Sequence, residues 1–312
     1  MSATAHFPAP TSGWSLATLD GPEGPLPVVE TGGRAWPLAP LLARAGHPAA
    51  PGLFDLFADW PRAEATIAAA VGGLDPAEAL PEGHGRLSPL LYPGKVLCAG
   101  ANYYRHLAEM GVADLRKEAQ RLFFFFKPSR NAVVGPGETV HMPLDTKAFD
   151  WEVELAAVIG RRARAVRVED ALDHVAAFTV AIDFSARDLN MAPETFYKLD
   201  WVAGKAQETC CPMGPRLVPA SALAEPGALG LRLSVNGEMK QDDTTEDMIF
   251  SIAEQISIAS RIMTLDPGDV ILTGTPAGVG APRKTFLSIG DRVTASAEGI
   301  GALDVVIAPP RT

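Results

Sequence analysis

The chain has 312 residues, of which 47% are hydrophobic, and its formal net charge at pH 7 is -10. That length and composition predict a folded globular protein of one or two domains with an ample core. The negative charge disfavours nucleic acid and anionic membranes as partners, because both are bound through concentrated lysine and arginine.

The sequence carries no signal for a membrane span or a disulfide framework. The longest purely apolar run, "VAAFTVAI" at residues 175–182, is too short to cross a bilayer, and "MSATAHFPAP" at the start lacks a basic region followed by an apolar stretch. The three cysteines, Cys98, Cys210 and Cys211, show neither paired nor zinc-ligand spacing. We therefore expect a cytoplasmic protein.

The first 90 residues are rich in proline, glycine and alanine and predict a small α+β domain. Strands are predicted in "WSLATL" (14–19) and "LPVVET" (26–31), and helices over Ala39–Arg44 and Leu53–Ala70. A polar linker, "PEGHGRLSP" (81–89), follows. We place the domain boundary near residue 90, which divides the chain into residues 1–90 and 91–312.

The second part alternates short strand patterns with turn signals. These strands are predicted in "VGPGETV", "FDWEVELAAVIG", "AAFTVAIDFS", "GPRLVP", "LRLSVNGEMK", "DVILTG", "DRVTASAEG" and "ALDVVIA". Asn236-Gly237 predicts a hairpin turn, because both central residues of such a turn favour positive φ. A single long helix is predicted after a capping-box pattern of Thr244 and Asp247, ending before Pro267-Gly268.

The strand "FDWEVELAAVIG" places two acidic residues in an apolar run. Glu152 and Glu154 share one face of the strand, and a third carboxylate, Asp183, ends the next apolar run. Three oxygen ligands meeting on neighbouring strands would suit Mg²⁺, Mn²⁺ or Ca²⁺. The alternative is that Glu152 and Glu154 lie on the solvent face of an edge strand.

A second group of polar residues lies in "GANYYRHLAEMG" (100–111), where Asn102 is a candidate N-cap. His106 and Glu109 are three residues apart and share one helix face, which suits a general base oriented by a carboxylate. A surface ion pair is the alternative. Lys205 lies among small and apolar residues, which leaves open a desolvated or charge-paired amine. For Arg187, a local ion pair with Asp188 is the simplest interpretation.

The glycine-rich loop "TGTPAGVG" (273–280) lacks the lysine and hydroxyl residue of a phosphate-binding P-loop. A loop whose backbone N–H groups approach a small ligand stays open.

Taken together, these segments resemble the fumarylacetoacetate hydrolase family over about residues 92–308. The resemblance is carried, in order, by "GANYYRHLAEMG", "FFFFKPSRNAVVGPGETVHMP", "FDWEVELAAVIGRRAR", "AIDFSARDLN", "GKAQETCCPMGP", "VNGEMKQDDTTEDMIF" and "LDPGDVILTGTPAGVG". It implies an α+β, β-rich fold with a roll of mixed sheets, preceded by the small N-terminal domain, and usually a homodimer.

The resemblance also implies roles for individual positions. Glu152, Glu154 and Asp183 match the family's metal-binding carboxylates, which usually hold Mg²⁺ and in some members Mn²⁺ or Ca²⁺. His106 and Glu109 match its water-activating pair on a lid helix. The remaining matches line the pocket: Lys205 as a catalytic lysine, and Arg187, Asn190, Gly274 and Thr275 as substrate-binding residues. Asn190 stands where many relatives have glutamine.

By this resemblance the chain is expected to be a catabolic enzyme acting on a small keto acid. The expected reaction is metal-dependent hydrolysis of a C–C bond in a 1,3-diketo acid, either an acylpyruvate or a diketo-deoxy sugar acid. A decarboxylase or an isomerase of an unsaturated keto acid on the same site is the alternative. A non-catalytic ligand-binding homologue is a second alternative.

Overall fold

The structure is a computed structural model that describes residues 13–48, 52–112, 115–223 and 225–311. Its strands are β1 Trp14–Gly21, β2 Gly24–Thr31, β3 Arg34–Pro37, β4 Arg86–Leu87, β5 Val96–Gly100, β6 Phe123–Lys127, β7 Val133–Val134, β8 Thr139–His141, β9 Phe149–Asp150, β10 Val153–Ile159, β11 Val175–Ile182, β12 Ser185–Ala186, β13 Cys211–Pro219, β14 Gly230–Val235, β15 Glu238–Thr244, β16 Val270–Leu272, β17 Arg292–Ala297 and β18 Gly301–Ala308. Its α-helices are α1 Leu38–Arg44, α2 Leu53–Leu56, α3 Trp60–Ala70, α4 Tyr104–Glu109, α5 Arg187–Asn190, α6 Trp201–Lys205 and α7 Ile252–Ile262.

The strands form a large mixed sheet, a smaller five-stranded sheet and a two-stranded sheet of β9 and β12. The large sheet has the order β3-β2-β1-β13-β11-β10-β16-β5-β6, and the smaller sheet has the order β15-β14-β17-β18-β8. The N-terminal strands join the large sheet through β1, where Leu16 lies opposite Leu217 of β13. The two predicted parts of the chain thus share one sheet, and the boundary near residue 90 stays a prediction.

Strand β10 lies in the middle of the large sheet and is buried on both faces. Its side chains alternate between two cores: Val153 and Leu155 contribute to the core that includes the smaller sheet, and Ala156 and Val158 to the core that includes the N-terminal helices. A strand covered on both sides needs an almost continuous apolar sequence, which explains why Glu154 within it and Glu152 just before it stand out.

The predicted β-rich α+β class is confirmed, and each predicted strand segment contains a strand. The hairpin is also confirmed, since Asn236 and Gly237 have φ values of 52° and 81° between β14 and β15. Among the described residues, no helix is both long and apolar enough to span a membrane.

The predicted helix over Leu53–Ala70 is interrupted. A 3₁₀ segment, Phe57–Asp59, separates α2 from α3, and the Asp59 side chain accepts the N–H of Arg62 to begin α3. Pro61 in the first turn of α3 has no backbone N–H to continue the preceding helix, which favours a new start at this point.

The predicted start of the long helix was wrong. Thr244 caps only a 3₁₀ turn over Thr245–Asp247, and α7 begins at Ile252 with a capping box of Ser251 and Glu254. The intervening backbone is held out of the helix by tertiary bonds, because the N–H groups of residues 249 and 250 donate to the backbone and side-chain oxygens of Asn102.

Candidate metal and catalytic site

The three predicted metal-binding carboxylates meet at one point. Glu152, Glu154 and Asp183 each offer an oxygen atom, and these atoms lie within 4.8 Å of one another. They are buried, with exposed fractions of 5%, 1% and 0%. Pairing of β10 with β11 brings them together, since the N–H of Asp183 donates to the carbonyl of Glu152 at 2.9 Å. The alternative of a solvent-facing edge strand was wrong, because β10 lies between β11 and β16.

Two of the predicted pocket residues supply positive charge to this cluster. Lys205 Nζ donates to Glu152 Oε2 and to Asp183 Oδ2, both at 2.7 Å. Arg187 Nη2 donates to Glu152 Oε1 at 2.6 Å. Burial by itself raises the pKa of Glu152, but the charges of Lys205 and Arg187 outweigh it and hold the pKa well below its usual range.

A buried lysine that sequence reasoning missed lies behind Asp183. Lys127 Nζ is 2.8 Å from Asp183 Oδ1, yet it donates its hydrogen bonds to the carbonyls of Phe184, Lys205 and Cys210 at 2.8–2.9 Å. In the sequence it stands at the end of the apolar run "FFFFK". Burial lowers the pKa of Lys127, but the charge of Asp183 more than offsets this, so the pKa is raised.

The residues fit a hard divalent cation. Asp183 Oδ1 is buried and accepts no hydrogen bond from the described residues. Burial, with the nearby charges of Asp183 and Glu152, raises the pKa of Glu154 well above its usual value, which marks uncompensated negative charge. The surrounding charges do not balance, since four carboxylates face three cations: Asp150, Glu152, Glu154 and Asp183 against Lys127, Arg187 and Lys205. Oxygen ligands and surplus negative charge suit Mg²⁺, Mn²⁺ or Ca²⁺.

The predicted histidine–glutamate pair forms on α4. His106 Nδ1 lies 3.1 Å from Glu109 Oε1, and both side chains are largely buried, so the surface-pair alternative was wrong. Glu109 also accepts the N–H of Gly278 at 2.9 Å. Burial raises the pKa of Glu109, but the bonds from His106 and Gly278 outweigh it and lower the pKa.

Asn102 is not the predicted N-cap of α4. Tyr103 occupies that position without a capping side-chain bond. The Asn102 amide instead donates to the carbonyls of Phe250 and Thr273 at 3.0 and 2.9 Å. It thereby joins the start of α4 to the segment before α7 and to the glycine-rich loop.

The glycine-rich loop after β16 connects the two halves of the site. Gly274 has a φ of 96°, and its N–H donates to Glu154 Oε2 at 2.6 Å. Four residues on, Gly278 holds Glu109. Thr275 donates to the carbonyl of Val153 at 2.9 Å and accepts a bond from Gln241 at 2.9 Å. Substrate contacts by Gly274 and Thr275 stay predictions.

Asp150 is a second residue beside the cluster that sequence reasoning missed. It accepts the N–H of Gly280 at 2.7 Å and of Ala281 at 3.0 Å, and it also accepts a bond from Arg187 at 2.9 Å. The sequence does carry a signal, because Asp150, Glu152 and Glu154 alternate in "DWEVE". Asp150 thus anchors the same loop that touches the other carboxylates.

Arg187 and Asn190 are the first and last residues of α5, and Arg187 pairs with Glu152 of the cluster. The predicted local pair of Arg187 with Asp188 is wrong, since Asp188 accepts bonds from Thr146 Oγ1 at 2.6 Å and from the N–H of Lys147 at 2.7 Å. The Asn190 side-chain oxygen is buried and has no hydrogen-bond partner among the described residues. An unpaired buried acceptor of this kind is costly by itself, and a substrate contact by Asn190 stays a prediction.

The chain is similar in sequence to a known protein family and to characterised relatives. The model of the fumarylacetoacetate (FAA) hydrolase C-terminal family matches residues 95–308. The chain is 41% identical over 219 residues to the mitochondrial oxaloacetate tautomerase of Xenopus laevis, covering 70% of this chain and 66%, just under two thirds, of that relative.

Two solved structures are similar as well. A fumarylacetoacetate hydrolase from Exiguobacterium antarcticum is 30% identical with a TM-score of 0.77, covering 96% of this chain and 100% of the other. A fumarylpyruvate hydrolase from Pseudomonas aeruginosa, in complex with Mn²⁺ and pyruvate, is 35% identical with a TM-score of 0.62, covering 69% and 89%. The fold expected from the resemblance is thereby confirmed.

Proposed function

Because the chain belongs to the fumarylacetoacetate hydrolase family, we propose that it is a divalent-metal-dependent hydrolase that cleaves a C–C bond of a 1,3-diketo acid. The supporting observation is the joining of two groups by one loop. Gly274 contacts the carboxylate cluster and Gly278 contacts the base pair. The cluster can hold a cation and a chelating keto acid, and the pair can activate water.

The proposed reaction starts with proton transfer at α4. Glu109 orients His106 through Nδ1, which leaves Nε2 to take a proton from water. The hydroxide attacks the acyl carbonyl farther from the substrate carboxylate. The C–C bond then breaks, its electrons pass to the leaving enolate, and the imidazolium returns a proton to the enolate carbon. A carboxylic acid and a 2-keto acid such as pyruvate result.

The leaving enolate is a poor leaving group without compensation of its charge. A divalent cation bound by Glu152, Glu154 and Asp183 would supply Lewis-acid polarisation of a keto oxygen. Lys205, which already lies 2.7 Å from two of these carboxylates, adds positive charge at the same point. Mg²⁺ and Mn²⁺ are the proposed metals, and the Mn²⁺ of the Pseudomonas aeruginosa relative supports the second.

Keto–enol tautomerisation of oxaloacetate is a second candidate, favoured by the 41% identity to a relative named for that reaction. It needs the same residues but no attack by water. His106 would take a proton from the carbon beside the keto group and return it to oxygen.

One experiment separates the two candidates. The purified protein is given a panel of acylpyruvates and, separately, oxaloacetate, each with Mn²⁺ and with a chelator. Chelator-sensitive formation of pyruvate and a carboxylic acid supports the hydrolase. Accelerated enol–keto equilibration of oxaloacetate without cleavage of any acylpyruvate supports the tautomerase. Absence of both reactions contradicts both candidates.

The family resemblance also implies a homodimer, and we propose that state for this chain. Sedimentation velocity over a range of protein concentrations tests it, and a monomer at every concentration would contradict it.

A further inference from the structure

We propose that a pocket whose lining includes none of the three clustered carboxylates binds a small oxyanion between two arginines. The pocket has a volume of about 160 Å³ and is lined by the β2–β3 turn and by side chains of four strands, among them Ser15, Glu30, Arg86 and Arg216. Its volume is about five times the roughly 30 Å³ that one water occupies in the liquid, which suffices for a sulfate-sized or carboxylate ligand. This inference is independent of the proposed reaction.

The pocket lies where the N-terminal strands meet the central part of the large sheet. Glu30 is on β2, Arg86 on β4 and Arg216 on β13. Arg86 Nη2 donates to Glu30 Oε1, and Arg216 Nε lies 3.3 Å from Glu30 Oε2. One carboxylate therefore serves two guanidinium groups.

The charge in the pocket is unbalanced toward positive. Two arginines face a single carboxylate, and the other described lining residues are uncharged. Burial lowers the pKa of Arg216. The negative charge of Glu30 opposes this and the positive charge of Arg86 adds to it, so that the pKa is lowered overall. A bound anion would offset that repulsion.

One donor of the Arg216 guanidinium, Nε, makes no hydrogen bond within the described part of the chain. Its side chain is only 12% exposed. Its Nε is buried without a hydrogen-bond partner, although it is close to Glu30. Leaving a buried guanidinium donor unpaired is costly, and oxyanions are the acceptors that match its planar donors.

Among the described residues that line the pocket, Glu30 is the only acidic one. Gly13 lines the pocket, and residues 1–12, which precede it, contain no aspartate or glutamate. The expected ligand is therefore external, and its class is that of phosphate or carboxylate anions. Such a ligand would contact both β13 and the N-terminal strands. It would therefore stabilise the folded protein by an amount that increases with the ratio of its concentration to its dissociation constant.

The test uses the metal-loaded full chain, with sulfate and acetate as the two probes at constant ionic strength set by sodium chloride. Melting temperature and isothermal titration are compared between wild type, Arg216→Gln and Glu30→Gln. Arg44→Gln is the matched control, because Arg44 forms an exposed pair with Glu78 elsewhere. Binding of the probes at sites that all variants share, including the metal centre, contributes equally to each variant and does not affect the comparison.

We expect saturable stabilisation in wild type and Arg44→Gln, and binding at least about tenfold weaker in Arg216→Gln. Glu30→Gln should bind more tightly than wild type, because it frees both arginines. Stronger binding of sulfate identifies a phosphate-type ligand, and stronger binding of acetate identifies a carboxylate.

Equal binding in wild type and Arg216→Gln would overturn the proposal, as would weaker binding in Glu30→Gln, which would mean that the arginines serve only to neutralise Glu30. If Arg216→Gln does not fold, Arg86→Gln takes its place with the same expected loss and the same contrary result.

Discussion

Lys127 Nζ lies 2.8 Å from Asp183 Oδ1, but its hydrogen bonds are donated to three main-chain carbonyls at 2.8–2.9 Å. The lysine thus supplies charge to Asp183 without occupying that oxygen as a hydrogen-bond acceptor. A lone pair of the carboxylate stays available for a cation, while the buried charge is still compensated.

Lys127→Met should destabilise the fold strongly. It leaves a buried carboxylate and three carbonyls without their partner, and breaking a buried ion pair in this way costs about 3–5 kcal/mol. Urea denaturation measures the free energy of unfolding. Lys117→Met is the control, because Lys117 pairs with the partly exposed Glu254 and should lose less than about 1 kcal/mol. Similar losses of unfolding free energy in the two variants would show that Lys127 stabilises the fold no more than the partly exposed Lys117 does.

Asp183→Asn should abolish metal-dependent turnover while the protein stays folded. The substitution keeps the side-chain shape but removes a charged ligand, so Mn²⁺ affinity and activity should each fall at least about 100-fold. Isothermal titration and steady-state kinetics measure these effects. Asp170→Asn, which alters an exposed pair with Arg167, should change neither. Full activity in Asp183→Asn would refute the metal assignment.

His106→Ala should lower the kcat of hydrolysis by about 10²–10⁴, the usual contribution of a general base. Any decarboxylation of oxaloacetate should fall less, because that reaction needs no nucleophilic water. Steady-state kinetics with both substrates measure the difference, and Tyr104→Phe on the exposed side of the same helix is the control. Equal losses for both substrates would instead assign His106 to substrate positioning.

Glu109 should contribute stability that depends on pH with a definite sign. Bonds from His106 and Gly278 outweigh the effect of burial and lower its pKa below the ordinary 4.5. Its contribution is therefore complete above that value and is lost as the pH falls through the lower pKa of the folded state. The difference in the free energy of unfolding between wild type and Glu109→Gln, measured by urea denaturation, should decrease only below pH 4.5. A decrease at higher pH would contradict the assigned shift.

Much of the site was predictable because its signals are local. Alternation in a strand places Glu152 and Glu154 on one face, and helical spacing places His106 beside Glu109. The hairpin at Asn236-Gly237 follows from the φ values that those residues tolerate.

The residues that were missed or misassigned depend on distant contacts. Asn102 has the chemistry of an N-cap, but its amide is satisfied by segments about 150 residues away. Thr244 has a capping-box pattern, yet the backbone N–H groups of residues 249 and 250 donate to Asn102. The helix α7 therefore begins only at Ile252.

The sequence by itself determined the residue types, the strand and helix patterns and the family resemblance. Only the tertiary structure decided how the carboxylates are compensated, because Lys127, Arg187 and Lys205 come from separate elements. Local patterns depend on the periodicity of the backbone, which neighbouring residues define. The energy of a buried charge depends on every group within a few ångströms, and that set exists only after the chain has folded.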